Sequence, residues 1–189
     1  MENKGTRGKV FTAGYQYLLA YKITVAVYDL TVQFTKIYIT GFSRTKDQME
    51  QAARSGMQNI AEGYTQQGKK GYIKLAGIAR GSLEELLQDY YTYARQHEIA
   101  ILSRDKIREI REIGVIWDII KATSTLPDHP NFPDLPNSPK NTVNLMITLC
   151  HQANYLLDRL IISIKAKHER EGGLTEELYW KRKKYREEH

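Results

Sequence analysis

Basic side chains are concentrated in one stretch of the chain, residues 41–80, and they are the strongest candidates for a binding function. This stretch has seven basic residues against three acidic ones, whereas residues 81–103 have one basic residue and four acidic ones. Clustered lysine and arginine side chains attract phosphate oxygens, with an affinity that depends on salt. We therefore predict a nucleic-acid-binding face made of Arg44, Lys46, Arg54, Lys69, Lys70, Lys74 and Arg80. The same charge distribution also suits contact between basic and acidic faces of neighbouring subunits.

A glycine-rich link within this stretch contains part of a phosphate-binding loop pattern. Gly63, Gly68 and Lys69 have the spacing of a Walker A motif, but Lys70 stands where a serine or threonine would bind magnesium. The segment before the link has a helical pattern rather than that of a strand, which argues against an NTPase. Two interpretations stay open: an RNA phosphate bound at the start of the next helix beside Lys69 and Lys70, or a relaxed turn with solvated lysines.

Residues suited to catalysis or metal binding are few and scattered. The chain has five histidines: His97, His129, His151, His168 and His189. None of them has the Glu-x-x-His spacing of a di-iron site in a helical bundle. Cys150 belongs to a predicted core stripe, so we expect a buried, inert thiol. Glu62 and Arg80 lie in apolar helical segments, where an acid and a base more often form a buried structural pair than a catalytic one. We therefore expect no metal, no cofactor and no enzymatic activity.

The composition is typical of a globular protein and favours polyanionic partners. The 189 residues include 28 Lys and Arg against 22 Asp and Glu, a formal net charge of +6. The single cysteine excludes an internal disulfide and the N-terminal segment lacks a secretory signal pattern, so we expect a cytoplasmic location. The longest uncharged stretch, 141–157, is too short and too polar to span a membrane.

Apolar residues recur at the three- and four-residue spacing of helix faces through most of the chain. The pattern predicts helices over about 18–37, 44–66, 72–94, 104–123 and 141–171, with Asn141 as the N-cap of the last. A shorter basic helix is predicted within 172–189, after Gly172 and Gly173. All five prolines lie between 127 and 139, which marks 124–140 as a loop.

Helices of this length predict an all-α, antiparallel up-down four-helix bundle over residues 1–171, followed by a C-terminal suffix helix, 172–189. Five long helices are predicted, one more than a four-helix bundle needs. We assign 141–171 to the core and treat 104–123 as an inserted helix, although the reverse assignment stays open. Gly56, Gly77 and Gly81 fall inside predicted helices, which indicates close helix contact at each position.

The segment that joins the second and third helices, residues 57–87, reads MQNIAEGYTQQGKKGYIKLAGIARGSLEELL. It resembles the signature of the four-helix-bundle proteins encoded in bacterial 23S rRNA intervening sequences, whose relatives include the accessory variability protein of diversity-generating retroelements. The residues that carry the resemblance are Asn59, Glu62, Gly63, Arg80, Gly81 and Ser82. The resemblance covers about 17–98, although Gly71 stands where many relatives have an acidic residue. Residues 144–186 are similar to the C-terminal extension of a longer branch with a suffix domain.

This resemblance implies homopentameric barrels that associate with RNA or with a reverse transcriptase, and no established catalytic activity. Together with the charge, it predicts a non-enzymatic homo-oligomer that binds RNA or a nucleoprotein through its basic face. The alternative is a protein-interaction scaffold, an accessory subunit of a reverse transcriptase or of another nucleic-acid enzyme. The expected partners are thus further copies of the chain together with RNA or a protein, and no membrane.

Overall fold

Helices dominate the computed structural model, which describes residues 13–41, 43–66, 68–122, 124–127 and 130–188. A 3-10 turn, Gly14–Tyr17, is followed by α1 (Leu19–Tyr38), α2 (Arg44–Thr65), α3 (Lys69–Gln96), α4 (Arg104–Arg108), α5 (Arg111–Ala122), α6 (Pro139–Glu171) and α7 (Leu174–Glu188). Over these ranges no residue lies in a strand. The prediction of an all-α fold is confirmed, whereas His129 and His189 lie outside the described residues.

Four helices, α1, α2, α3 and α6, form the bundle, and each packs against two of the others. The contacts between α2 and α3 show that these helices are antiparallel. Ser55 Oγ lies 2.9 Å from Ser82 Oγ, while Gly63, later in α2, packs against Tyr72, earlier in α3. The end of α2 therefore lies beside the start of α3.

The fourth position of the bundle is occupied by α6, the segment that the sequence analysis assigned to the core. Leu157 and Cys150 of α6 are fully buried. The helix begins at Pro139, and the hydroxyl of Ser138 accepts a hydrogen bond from the Asn141 amide. The prediction of Asn141 as N-cap was therefore wrong. Proline suits the first turn of a helix because no intrahelical donor is lost there.

The predicted helix over 104–123 is divided into α4 and α5, so the expectation of one continuous helix was wrong. The break places Ile110, which is 4% exposed, in the core, and Ile116 and Ile120 of α5 are fully buried as well. α5 packs against α1 and α6. The buried ammonium of Lys22 on α1 donates a hydrogen bond to the Ile120 carbonyl at 3.1 Å. The break between α4 and α5 thus allows all three isoleucines to be buried.

The proline-rich segment also contributes to the core. Phe132 and Leu135 are buried, and the hydroxyl of Thr142 donates a hydrogen bond to the carbonyl of Pro136 at 2.7 Å. The segment therefore covers the start of α6.

Two glycines of α2 permit the close approach of α3. A Cβ atom at Gly56 would lie 2.6 Å from Leu83 Cδ2, and one at Gly63 would lie 2.7 Å from the Tyr72 ring. Gly77 and Gly81 differ, because a Cβ atom at either position would meet no atom within 4 Å. Close helix contact is thus present at Gly56, but the same prediction was wrong for Gly77 and Gly81, which lie on the exposed side of α3.

The suffix helix α7 begins after a sharp turn. Gly172 has a φ of 68°, a left-handed conformation that favours glycine, and Glu176 accepts a hydrogen bond from the amide of Gly173 at 2.9 Å. Every residue of α7 is exposed.

Candidate nucleic-acid interface

The seven basic residues predicted to bind nucleic acid do not form one continuous face. α2 has 22 residues and is therefore about 33 Å long. Arg44 and Lys46 lie at its beginning, whereas Lys70 and Lys74 lie in the first turns of α3, beside its end. Arg54 is exposed between these two groups.

Lys69 is bound to the end of α6. Its ammonium lies 3.1 Å from the carboxylate of Glu171 and donates a hydrogen bond to the Gly172 carbonyl at 3.0 Å. The hydrogen bond from Lys69 lowers the pKa of Glu171. Lys69 is therefore an interhelical contact, and the interpretation of this lysine as a solvated side chain was wrong.

Arg80 is also committed to contacts within the protein. Its guanidinium lies 2.8 Å from Glu84 and 3.2 Å from Asp158, so it joins α3 to α6. Glu84 also accepts a hydrogen bond from the side-chain amide of Asn154, on α6, at 3.2 Å. Hydrogen bonding by Arg80, and secondarily by Gln88, lowers the pKa of Glu84.

The predicted buried pair between Glu62 and Arg80 does not form. Glu62 is exposed on the outer side of α2, whereas Arg80 points towards α6 and binds Glu84 and Asp158. Apolar neighbours in sequence suggested burial, but the two residues face different helices. The α2 to α3 contact in this signature is instead made by neutral groups, with Asn59 donating to Ser55 and Ser55 paired with Ser82.

Lys70 and Lys74, at the start of α3, are two of the predicted binding residues that remain available. Both are exposed, and neither has an ion pair with any part of the chain that the structure describes. They are four residues apart on α3, so their side chains lie on one side of the helix. Their placement at the start of α3 adds the positive end of the helix dipole.

The structure adds basic residues that the charge count along the sequence did not identify. Lys165, Lys167 and Arg170 are exposed at the end of α6, which Lys69 holds against the start of α3. Over residues 159–188 there are nine basic residues and six acidic ones. Lys70, Lys74 and these three side chains lie at the same end of the bundle, and we call this end the junction face. A window along the sequence could not find it, because its parts are about 90 residues apart.

Arg44 lies in a different setting. It lines a groove of about 530 Å³ between α2 and α3 together with Asp47, Ser55, Ser82 and Glu85. Two carboxylates in this groove offset the single guanidinium. The lining of the groove therefore has a net negative charge, which does not suit a polyanion.

Groups with catalytic potential are buried or isolated. Cys150 is fully buried, and burial raises the pKa of its thiol. His151 Nε2 lies 2.8 Å from the hydroxyl of Tyr91. Among the described residues, no three His, Cys, Asp or Glu side chains are grouped in a way that could hold a metal ion.

Comparison with known proteins identifies the family. Residues 16–114 match the family model described as 23S rRNA-intervening sequence protein. The chain belongs to this family. The family match covers α1, α2, α3 and α4 and ends within α5, so the bundle helix α6 lies beyond it. No curated protein and no solved structure matches the chain.

The predicted resemblance to this family is thus confirmed over slightly more of the chain than the signature alone suggested. The family signature of Asn59, Gly63 and Ser82 serves the α2 to α3 contact in this member. In the part of the chain that the structure describes, no helix combines the length and apolarity needed to cross a bilayer.

Proposed function

We propose that the protein is a non-enzymatic, self-associating helical bundle that binds RNA or an RNA-containing nucleoprotein. The observation that carries the proposal is the junction face, where Lys70 and Lys74 form no ion pair within the described residues and lie at the end of the bundle that also presents Lys165, Lys167 and Arg170. The description of the matching family, a protein of 23S rRNA intervening sequences, supports RNA as the polyanion.

Binding of this kind depends on release of counterions from the phosphate backbone. Affinity should therefore fall steeply with salt, and sequence preference should be weak because long, flexible lysines contact phosphates rather than base edges. Self-association increases this effect, since each copy adds a formal charge of +6.

The test compares two double variants that remove equal charge. Lys70→Gln with Lys74→Gln removes charge from the junction face, whereas Arg44→Gln with Arg54→Gln removes it from α2. Binding to a structured RNA is measured by filter retention at several salt concentrations. We expect the lysine variant to bind more weakly and to flatten the slope of log K against log salt by about 2, while the arginine variant stays near wild type.

Absence of RNA binding by the wild type at low salt would refute the proposal. Equal losses in both variants would show that charge acts over the whole surface and that the junction face has no special role. Circular dichroism of both variants provides the control for folding, because all four side chains lie on exposed parts of helices.

A second candidate function is a scaffold for another protein, such as a reverse transcriptase or other nucleic-acid enzyme. The exposed side chains of α7 favour it, because Tyr179, Trp180 and Tyr185 are each at least 60% exposed and aromatic residues are enriched at protein interfaces. A bundle that retains a candidate enzyme on a column after nuclease treatment, but fails to bind RNA alone, would favour the scaffold.

Self-association is part of the proposal, and a homopentamer is the expected assembly. Light scattering across a dilution series measures it directly. A stable monomer of 21.9 kDa at micromolar concentration would contradict it.

A further inference from the structure

The suffix helix α7 has no packing surface of its own. It contains 15 residues and none of them is buried, although Leu174 and Leu178 present apolar side chains that are each 41% exposed. An isolated helix of this length is marginal in water, and most helices in proteins are stabilised by burial of one face. The face of α7 that bears the leucines therefore needs a cover.

Two arginines extend the same row of side chains. Leu174, Leu178, Arg182 and Arg186 follow each other at four-residue intervals, so they form one ridge of the helix. The lysines of α7 have acidic partners on α7 itself, namely Lys181 with Glu177, Lys183 with Glu187 and Lys184 with Glu188. Arg182 and Arg186 have no ion pair within the described chain.

A row of complementary character lies on the outer side of α3. Gly77, Gly81, Glu85 and Asp89 also follow each other at four-residue intervals. A Cβ atom at either glycine would meet no atom within 4 Å, and neither acid has an ion pair within the described residues. Glu85 also lines the groove between α2 and α3.

We propose that α7 of one copy docks on this row of α3 in a second copy, with the two helices parallel. In that register Leu174 and Leu178 lie opposite Gly77 and Gly81, and Arg182 and Arg186 lie opposite Glu85 and Asp89. The glycines leave room for the leucines, and each unpaired arginine meets an unpaired carboxylate. The inference rests on the proposed self-association and names the surfaces that carry it.

Charge fixes the direction of the helix pair. In the antiparallel arrangement over the same positions, the leucines would face Glu85 and Asp89 and the arginines would face the two glycines. A shift that returns the leucines to the glycines would bring the arginines to Lys70 and Lys74, at the basic start of the same helix. Like charges across an interface are unfavourable. Pairing of two α7 helices along this ridge is also disfavoured, because a parallel pair opposes arginine to arginine and an antiparallel pair opposes leucine to arginine.

In the structure, α7 does not occupy this row on its own α3. Lys69 holds the Gly172 carbonyl at 3.0 Å. A Cβ atom at Gly77 or Gly81 would meet no atom within 4 Å, so α7 does not lie on this row of its own α3. A second copy is thus the occupant. Because the two surfaces differ, repetition of the contact is head-to-tail and closes into a ring when the rotation allows it.

The proposal also accounts for the exposed glycines. Gly77 and Gly81 weaken a solvent-facing part of α3 relative to alanine, and nothing in the described chain packs on them. In the proposed contact, the absence of side chains at these two positions leaves room for the leucines of α7.

A charge-swap experiment tests the interface, with sedimentation equilibrium and light scattering as readouts. Arg182→Glu and Glu85→Arg are made singly and together. Each single variant should weaken self-association at least tenfold, and the double variant should recover most of it, because the pair is restored with its polarity reversed. Lys184→Glu is the matched control on α7, since it changes the same charge outside the ridge, and it should leave assembly unchanged.

A third variant does not rely on charge. Gly81→Gln should raise the thermal stability of the monomer, because the position is open in the described structure, and yet weaken assembly, because the side chain occupies the space for Leu178. This opposite response separates the interface from a general loss of folding.

The outcomes separate this inference from the proposed self-association. A wild-type monomer contradicts both. An oligomer that tolerates Arg182→Glu, Glu85→Arg and Gly81→Gln shows that assembly uses another surface, which overturns the docking of α7 alone. Failure of the double variant to recover assembly also overturns it. A loss of RNA affinity in Arg182→Glu with unchanged assembly assigns α7 to nucleic acid instead.

Discussion

Lys69 and Glu171 connect the first residue of α3 to the last residue of α6 through an ion pair of 3.1 Å. The ammonium also donates to the carbonyl of Gly172, at which the chain turns into α7. One lysine therefore closes the bundle at this end and fixes where the suffix helix begins. The residue that the sequence placed among the RNA contacts thus also has a structural role.

Replacement of Lys69 should affect the suffix more than RNA binding. The ion pair is partly exposed, so Lys69→Gln is expected to lower the free energy of unfolding only slightly. The turn at Gly172 and Gly173 should become more sensitive to protease, because its carbonyl loses a donor. Limited proteolysis with mass spectrometry measures the cleavage, and Lys70→Gln serves as the control on the next residue. Equal cleavage in the two variants would show that Lys69 does not restrain the turn.

The seam of Arg80, Glu84 and Asp158 should make stability depend on pH. Hydrogen bonding to Arg80 lowers the pKa of Glu84 in the folded protein. A carboxyl whose folded pKa is below its unfolded value stabilises the protein above the unfolded pKa, near 4.3 for glutamate, and this stabilisation is lost as the pH falls through the folded pKa. The contribution is modest, because the Glu84 side chain is 44% exposed.

Urea unfolding of wild type and Arg80→Gln across pH 7 to about pH 3 measures this dependence. The wild type should be more stable at neutral pH, and the difference should shrink as Glu84 is protonated. Arg54→Gln, on the exposed side of α2, is the control and should show no such convergence. A constant difference between wild type and Arg80→Gln at every pH would mean that Arg80 acts by packing alone.

The helices and their core faces could be predicted from the sequence because apolar periodicity reflects local geometry. The stripe that includes Cys150 and Leu157 predicted the buried face of α6, and both residues are fully buried. The start of α6 after its N-cap, Ser138, could not be predicted in the same way. Proline normally marks the end of helical structure, yet Pro139 lies inside the first turn of α6.

Contacts between distant segments could not be predicted, since they depend on how the helices are rotated against one another. Arg80 and Glu62 are both in the signature, but Arg80 binds Glu84 on its own helix and Asp158, 78 residues away. The division between α4 and α5 has a similar origin, because burial of Ile110 outweighs the continuity of a local helical pattern. The binding face stays a prediction, and the basic residues of α6 that lie beside the start of α3 were not part of it, because only the tertiary fold brings the two segments together.

Leu157 should be essential to the fold if α6 is the fourth bundle helix. The side chain is fully buried, so Leu157→Asp introduces an unpaired charge into a packed core at a cost on the order of 3–5 kcal/mol. We expect loss of cooperative thermal unfolding or a protein without stable helical structure. Ile162→Asp is the matched control, because Ile162 is on the same helix and 58% exposed; it should melt within a few degrees of wild type. A cooperative wild-type-like transition for Leu157→Asp would place the fourth core helix elsewhere.

Cys150 should report on opening of the core. Its thiol is fully buried, and burial raises its pKa, so both access and thiolate content are low in the folded protein. Reaction with Ellman's reagent at neutral pH should therefore follow unfolding, with the labelling rate in urea rising together with the loss of helical circular dichroism. The control is Tyr155→Cys in a Cys150→Ala background, because position 155 is 65% exposed on the same helix and should be labelled at once. Rapid labelling of native wild type would show that α6 separates from α1 and α3 without global unfolding, and would weaken the assignment of α6 as a fixed bundle helix.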